Sequence, residues 1–174
     1  TQPFTLMTRG TKLDSVLREL GANYGIPVVV SNKVTDVYIG SLDNISPQEA
    51  LDRLARLHKL AWYYNGQALY IYRADEVNRQ LLTPTFIKTK DLIAQFGETN
   101  SPYCRASVIA TEAPVDFGAI EVWGVPACLE RFTQMAKQLD EQAQNQGQNE
   151  EIVKAFPLRY ANASDTTYTY RGKD

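Results

Sequence analysis

Apolar positions along the first 75 residues change from an alternating to a helical period and back, which marks a series of short elements. Phe4 and Leu6 alternate with Thr5 and predict a strand over Phe4–Thr8 that stops at Arg9-Gly10. Leu13, Val16, Leu17 and Leu20 then fall on one helical face, with Thr11 as cap and Asp14 three residues on, and this helix ends near Gly21 or Gly25. Pro27–Val30 is fully apolar, the pattern of a strand covered on both faces, and Val37–Leu42 is a second, weaker strand. Ser46 caps the next helix, Pro47 takes its first position, Glu49 closes a capping box, and Ala50, Leu51, Leu54 and Leu57 line one side. Asn65-Gly66 predicts a two-residue hairpin turn. In that register Tyr64 faces Gln67, Tyr63 faces Ala68, Trp62 faces Leu69 and Leu60 faces Ile71. Leu60, Trp62, Leu69 and Ile71 then share a core face, while Tyr63, Tyr70 and Tyr72 share the other.

The polar stretch Arg73–Gln80 marks a boundary, after which the pattern restarts. Thr85–Lys88 reads as a strand, and Thr89 caps a helix through Leu92, Ile93 and Phe96 that stops at Gly97. Strands are expected over Ala106–Thr111 and Ala119–Trp123, and a last helix runs from Pro126 to Gln142 with Leu129, Phe132, Ala136 and Leu139 on its buried side. From Gln142 to Glu151 the chain is rich in Gln and Asn and reads as a flexible linker. Ile152–Tyr160 is a further strand candidate, Ala161–Asp165 resembles a helix start, and Thr167–Tyr170 is β-prone, but so short a piece cannot bury a core of its own. A faint echo between Pro84–Lys88 and Phe156–Arg159 suggests an array of similar units. The expected class is therefore α+β, with two small α/β modules in tandem. Residues 1–75 form the first, in the order strand, helix, strand, strand, helix, strand, strand. Residues 80–142 form the second, in the order strand, helix, strand, strand, helix. Residues 143–151 are the linker, and 152–174 are the truncated start of a third module.

Composition adds a few exclusions. A hydrophobic content of 44% over 174 residues is enough for real cores, and a net charge of -2 gives no field that would draw phosphate backbones. No run approaches the roughly 20 apolar residues of a membrane-spanning helix, so the chain as given reads as soluble. It opens at Thr1 with neither an initiator Met nor a signal peptide, and is expected to be a processed or excised piece. His58 lies beside Lys59 near a helix end, where a cation complements the helix dipole, and no Cys or His stands near it at metal-ligand spacing. Asp14, Asp43 and Asp52 fall on separate elements. With no nucleophile motif, metal set or phosphate loop, the expectation is no catalytic residue, no cofactor, no metal and no enzyme.

Three groups hold the remaining chemistry. Cys104 and Cys128 are either two free buried thiols or one bridge closing a loop of about 25 residues. The Tyr63, Tyr70 and Tyr72 face is either a plain half-buried sheet face or a contact with a second module or a neighbouring subunit, where tyrosine is enriched. Arg53, Arg56 and Lys59 form a basic stripe, either solvated or part of a protein interface. Asn162-Ala-Ser is formally a glycosylation acceptor.

Several of these segments carry a family resemblance. Leu13–Leu20, Gly25-Ile-Pro-Val-Val-Val and Ser46-Pro-Gln-Glu-Ala-Leu-Asp-Arg-Leu resemble the short N-terminal module shared by bacterial secretins and the signalling ends of some TonB-dependent receptors. Leu60-Ala-Trp-Tyr-Tyr-Asn-Gly-Gln-Ala-Leu-Tyr-Ile-Tyr is similar to the outer-membrane secretins of type III secretion systems. Ile120-Glu-Val-Trp-Gly-Val-Pro, Leu139-Asp140 and Phe156-Pro-Leu-Arg-Tyr-Ala-Asn-Ala-Ser-Asp follow in the same order. The resemblance implies a homo-oligomeric ring protein whose N-terminal modules stack in the periplasm. Its C-terminal part would form an outer-membrane β-barrel through which secreted substrates leave. The first module is then expected to face the inner-membrane ring of the injectisome, and the second resembles the KH-like ring-building motif. KH domains clamp RNA with a Gly-x-x-Gly loop, and this chain contains none, so no nucleic-acid partner is expected. An oxidising periplasm, which the resemblance implies, favours the Cys104–Cys128 bridge. The alternatives are a signalling or docking module of a TonB-dependent receptor, or the same region of a type II or pilus secretin. A second module with the start of a third favours a secretin over a receptor.

Overall fold

The computed structural model describes residues 2–97, 101–109 and 118–155, with side chains as far as residue 147. Strand β1, Phe4–Lys12, is longer than the alternation predicted. Gly10, at φ +151°, lets a bulge form between Thr8 and Thr11, whose hydroxyls hydrogen-bond to each other, so the strand bends there instead of stopping. Thr11 therefore lies in the strand and caps nothing. Helix α1, Leu13–Ala22, starts where the Leu13 N–H donates to the Asp36 carbonyl at 2.9 Å. Strand β2, Val28–Val30, is short, and β3, Val37–Ile45, pairs antiparallel with β1 in a two-stranded ribbon.

Helix α2, Pro47–His58, begins as its sequence dictates: the Ser46 hydroxyl accepts the Glu49 N–H at 3.1 Å, and Pro47 fills the first position. Only this forward half of the capping box forms, because the Glu49 carboxylate turns to Arg53 at 3.3 Å. Ala50, Leu51, Leu54 and Ala55 are buried, but Leu57 is 63% exposed. At 100° per residue the buried stripe centres between Leu54 and His58, and Leu57 stands about a quarter turn away from it.

Strands β4, Leu60–Tyr64, and β5, Leu69–Arg73, form the expected hairpin in a different register. Trp62 pairs with Ile71 and Tyr63 with Tyr70, which leaves Asn65–Ala68 as a four-residue loop. The Asn65 side chain makes that turn, accepting the N–H groups of Gln67 and Ala68 at 2.8 Å each. Because the slip is two residues, every side chain keeps its expected face. Strand β2 pairs in parallel with β5, giving the order β2-β5-β4. As an edge strand β2 is not covered on both faces, and Val29 is 50% exposed. The core beneath these elements includes Leu13, Leu17, Leu42, Leu54 and Ile71, all fully buried.

The polar stretch read as a boundary contains a 3-10 turn, Ala74–Glu76, and strand β6, Asn78–Leu82. Helix α3, Thr89–Phe96, ends on Gly97 at φ +68°, and β7, Cys104–Ile109, and β8, Ala119–Gly124, join β6 in the order β6-β8-β7. Strand β6 lies at an edge, so Asn78, Arg79 and Gln80 stay exposed, and alternation cannot reveal it. The expected strand over Thr85–Lys88 does not form. Its N–H groups at Thr85, Phe86 and Ile87 instead donate to the Asp140 carboxylate at 3.0, 2.7 and 2.9 Å.

Helix α4 runs from Pro126 to Ala155, 30 residues. The segment expected as a linker, 143–151, is helical, as are residues 152–155 of the expected strand. Gln, Glu, Ala and Lys form helices readily, and their lack of apolar character argues against burial, not against helix. The rest of the expected third module, including Phe156–Arg159 and Asn162, lies outside the described residues, as do positions 110–111 of the strand expected over Ala106–Thr111. The chain divides into two compact units. One comprises Thr1–Gln80, Glu98–Ala106 and Glu121–Arg131, and the other Leu81–Gly97, Ser107–Ile120 and Phe132–Asp174.

Candidate assembly surface

Tyr63, Tyr70 and Tyr72 share the face of the β4–β5 hairpin that points away from the Leu60 and Ile71 core. Tyr63 is only 3% exposed, and its hydroxyl accepts a hydrogen bond from Arg131 Nη1 at 2.8 Å. Tyr72 accepts the Ala127 N–H at 3.1 Å. Ala127 lies in the first turn of α4, where N–H groups have no partner within the helix, so the phenol oxygen serves as a cap from another element. Burial raises the Tyr72 hydroxyl above its ordinary value of 10.0, against the opposing pull of the Ala127 N–H. Tyr70 is half-buried.

Neighbouring contacts extend this joint. The Trp62 carbonyl accepts from Ser101 Oγ at 2.6 Å, and the Trp62 and Tyr103 rings meet edge to face with centroids 6.4 Å apart. Cys104 and Cys128 are joined by a disulfide between β7 and the first turn of α4. Gly124 makes room for it: a Cβ there would come within 2.5 Å of the Tyr103 carbonyl and 2.8 Å of Cys128 Sγ. The Arg105 guanidinium lies over the Trp123 ring at 4.5 Å. The sequence offered no signal for Arg131, one more charged residue on a polar helix face. Gly124, a glycine at the end of an apolar strand, was the available sign of close backbone approach.

The other sequence candidates lie apart from this joint. Arg53 pairs with Glu49 on the outside of α2, and Arg56, opposite the buried stripe, is exposed. His58 Nδ1 lies 2.9 Å from Asp36 Oδ2, which identifies Nδ1 as the donor, while the buried Nε2 has no hydrogen-bond partner among the described residues. Arg73 also approaches Asp36, at 3.9 Å. Asp14 binds Arg18 at 3.0 Å, and that hydrogen bond holds its carboxyl below the ordinary value despite the opposing effect of burial. Asp52 accepts from Gln48 at 3.1 Å. Among the described residues no group of three His, Cys, Asp or Glu is placed to hold a metal, and no helix is long and apolar enough to cross a membrane.

Asp140 is a structural carboxylate of the second unit. Burial alone would raise it, but the N–H groups of Thr85, Phe86 and Ile87 together hold it below its usual 3.8. The stabilisation from a depressed carboxylate is fully present above the unfolded value and fades as pH falls through the folded one. Asp140→Asn is therefore expected to cost about 1 kcal/mol at pH 7, a figure lowered for solvent screening. Urea titrations of both forms at pH 7 and near pH 3 check this, and the gap should shrink at the lower pH.

These side chains hold elements together: phenols and a carboxylate receive orphan backbone donors, and a bridge and a stacked guanidinium fix strand and helix ends. The class they define is a structural α+β module, its polar and aromatic side chains spent on internal packing. Residues 7–73 match the family model described as the SPI-1 type 3 secretion system secretin, N0 domain. The chain is 32% identical to the SPI-2 type 3 secretion system secretin of Salmonella typhimurium (strain 14028s / SGSC 2262), over 97% of this chain and 33% of that protein. It is 30% identical to the type 3 secretion system secretin of Ralstonia nicotianae (strain ATCC BAA-1114 / GMI1000), over 99% of this chain and 29% of that protein. The chain thus spans about a third of the length of these curated relatives. Its fold is shared by InvG N0N1, solved with SpaPQR and PrgHK from the Salmonella SPI-1 injectisome. That likeness has a TM-score of 0.64 and 21% identity, over 82% of this chain and 97% of that one. The matches identify a type 3 secretion system secretin N0 domain over residues 7–73, and over nearly its whole length the chain is similar to a stretch of those secretins. Secretins are structural components of the secretion apparatus, not enzymes.

Proposed function

We propose that this chain builds periplasmic rings of an outer-membrane protein-export channel and docks to the inner-membrane ring of a type 3 secretion system. The observation that carries this is the coverage of 97% and 99% of the chain by type 3 secretion secretins. The shared fold with InvG N0N1, a protein solved together with PrgHK, supports it. In this reading residues 1–75 are the first module, 80–142 the ring-building module, and 152–174, whose first four residues continue α4, lead into a third. Copies associate into a homo-oligomeric ring, and secreted substrates pass through the channel without nucleic acid or cofactor. The family model and the relatives named above are of the type 3 system, which favours it over a TonB-dependent receptor or a type II or pilus secretin.

With Tyr63 and Tyr72 engaged inside the chain, the docking candidates narrow to Tyr70 and the outer face of α2. There Arg53 and Arg56 stand beside the exposed Leu57. An arginine pair beside an apolar side chain is a common interface composition. The full-length protein carrying Arg53→Glu and Arg56→Glu, purified from membranes, is expected to keep its own ring and bring down about tenfold less inner-membrane ring protein. Undiminished recovery of that partner would reject this docking surface.

A further inference from the structure

We propose that α4 is a helix of two parts, an anchored half ending at Asp140 and a conditional arm, Glu141–Ala155, that acts as a spacer of variable length. The anchored half is fixed along its length. Cys128 is bridged to Cys104, Phe132 packs on Phe96 with ring centroids 4.6 Å apart, Ala136 is buried, and Asp140 receives three backbone N–H groups from residues 85–87. Over Glu141–Gly147 this anchoring ends: Glu141, Gln142, Asn145, Gln146 and Gly147 are exposed, and no side chain from 141 to 147 is buried.

Such an arm gains little tertiary packing from those residues, of which only Ala143 and Gln144 are partly covered, and packing supplies most of the stability of helices in proteins. Gly147, Asn145 and Asn149 are weak helix formers, which lowers its intrinsic preference. It persists as helix because the anchored half supplies the nucleus, the costly step for an isolated peptide of this length. The balance between helix and coil is therefore close, and unwinding changes reach greatly. From residue 141 to 155 the arm spans about 22 Å as a helix and up to about 50 Å extended. A segment of this kind lets the distance from the anchored half to Ala155 change without disturbing the anchored half.

Hydrogen exchange of the intact, oxidised chain, read by mass spectrometry, tests the proposal. Amides of 143–155 should exchange at least about a hundredfold faster than those of 131–139, yet slower than an unstructured peptide. A triple variant, Asn145→Ala, Gly147→Ala and Asn149→Ala, should slow exchange in the arm about tenfold and leave the melting temperature unchanged. Gln144→Pro should raise arm exchange to the unstructured rate and leave residues 131–139 as protected as before. Equal protection in both halves, arm exchange at the unstructured rate in the parent chain, or loss of protection at 131–139 in Gln144→Pro would overturn it.

Discussion

Replacing Cys104 and Cys128 together by serine is expected to lower the unfolding free energy by about 3 kcal/mol, since the bridge closes a loop between residues 24 apart. Both cysteines are fully buried, so two hydroxyls would also enter an apolar site, which adds to the loss. The effect is structural in origin: the bridge ties β7 to the first turn of α4, and Ser101 and Tyr103 just before it contact Trp62. Urea unfolding of the variant, and of the parent chain with and without a reductant, checks the figure. The reduced parent should fall most of the way to the midpoint of the cysteine-free variant, which lies somewhat lower because of its two buried hydroxyls, and a variant as stable as the oxidised parent would refute the assignment.

Truncating Tyr63 should cost still more. At 3% exposure, Tyr63→Ala removes a buried ring and leaves Arg131 without its hydroxyl partner, an expected loss of about 3–5 kcal/mol. Tyr63→Phe keeps the ring and removes only the acceptor, so about 1 kcal/mol is expected. Arg131→Met should match Tyr63→Phe, and the double variant should cost little more than either, because the two side chains share one interaction. Thermal and urea unfolding of the four forms measure that coupling. If Tyr63 instead faced a partner subunit, Tyr63→Ala would leave the isolated chain nearly as stable as the parent.

The hairpin shows how far pattern reading reaches. Alternation over Leu60–Tyr64 and Leu69–Arg73 sorted core from tyrosine face correctly, because a slip of two residues preserves side-chain parity. The register itself was hidden, since it depends on the Asn65 carboxamide taking two backbone donors, an event specific to that side chain. Gly10 looked like a strand end, yet it permits a bulge, and only pairing with β3 distinguishes the two. Strand β6 and the last turns of α4 were missed for one reason. Neither carries apolar residues at a spacing that leaves a period, so edge position and helix propensity decide them.

For the candidate site, residue type was informative and partnership was not. Three tyrosines on one strand face pointed to a contact, but Ala127 and Arg131 lie 55 and 68 residues from their partners Tyr72 and Tyr63, beyond any local rule. The cysteines allowed two readings until the periplasmic resemblance favoured a bridge. Asp140 was legible only as part of Leu139-Asp140 in the family motif. Its role emerges from the three backbone donors it gathers, which also explains why Thr85–Lys88 bends where a strand was expected.

The docking role is tested most directly by site-specific photo-crosslinking from position 56 of the full-length protein in its native membranes. The expected product is an adduct between this exposed turn of α2 and the inner-membrane ring protein, lost when that ring is absent. Assembled secretin rings that secrete normally and yield no such adduct from position 56 would contradict it.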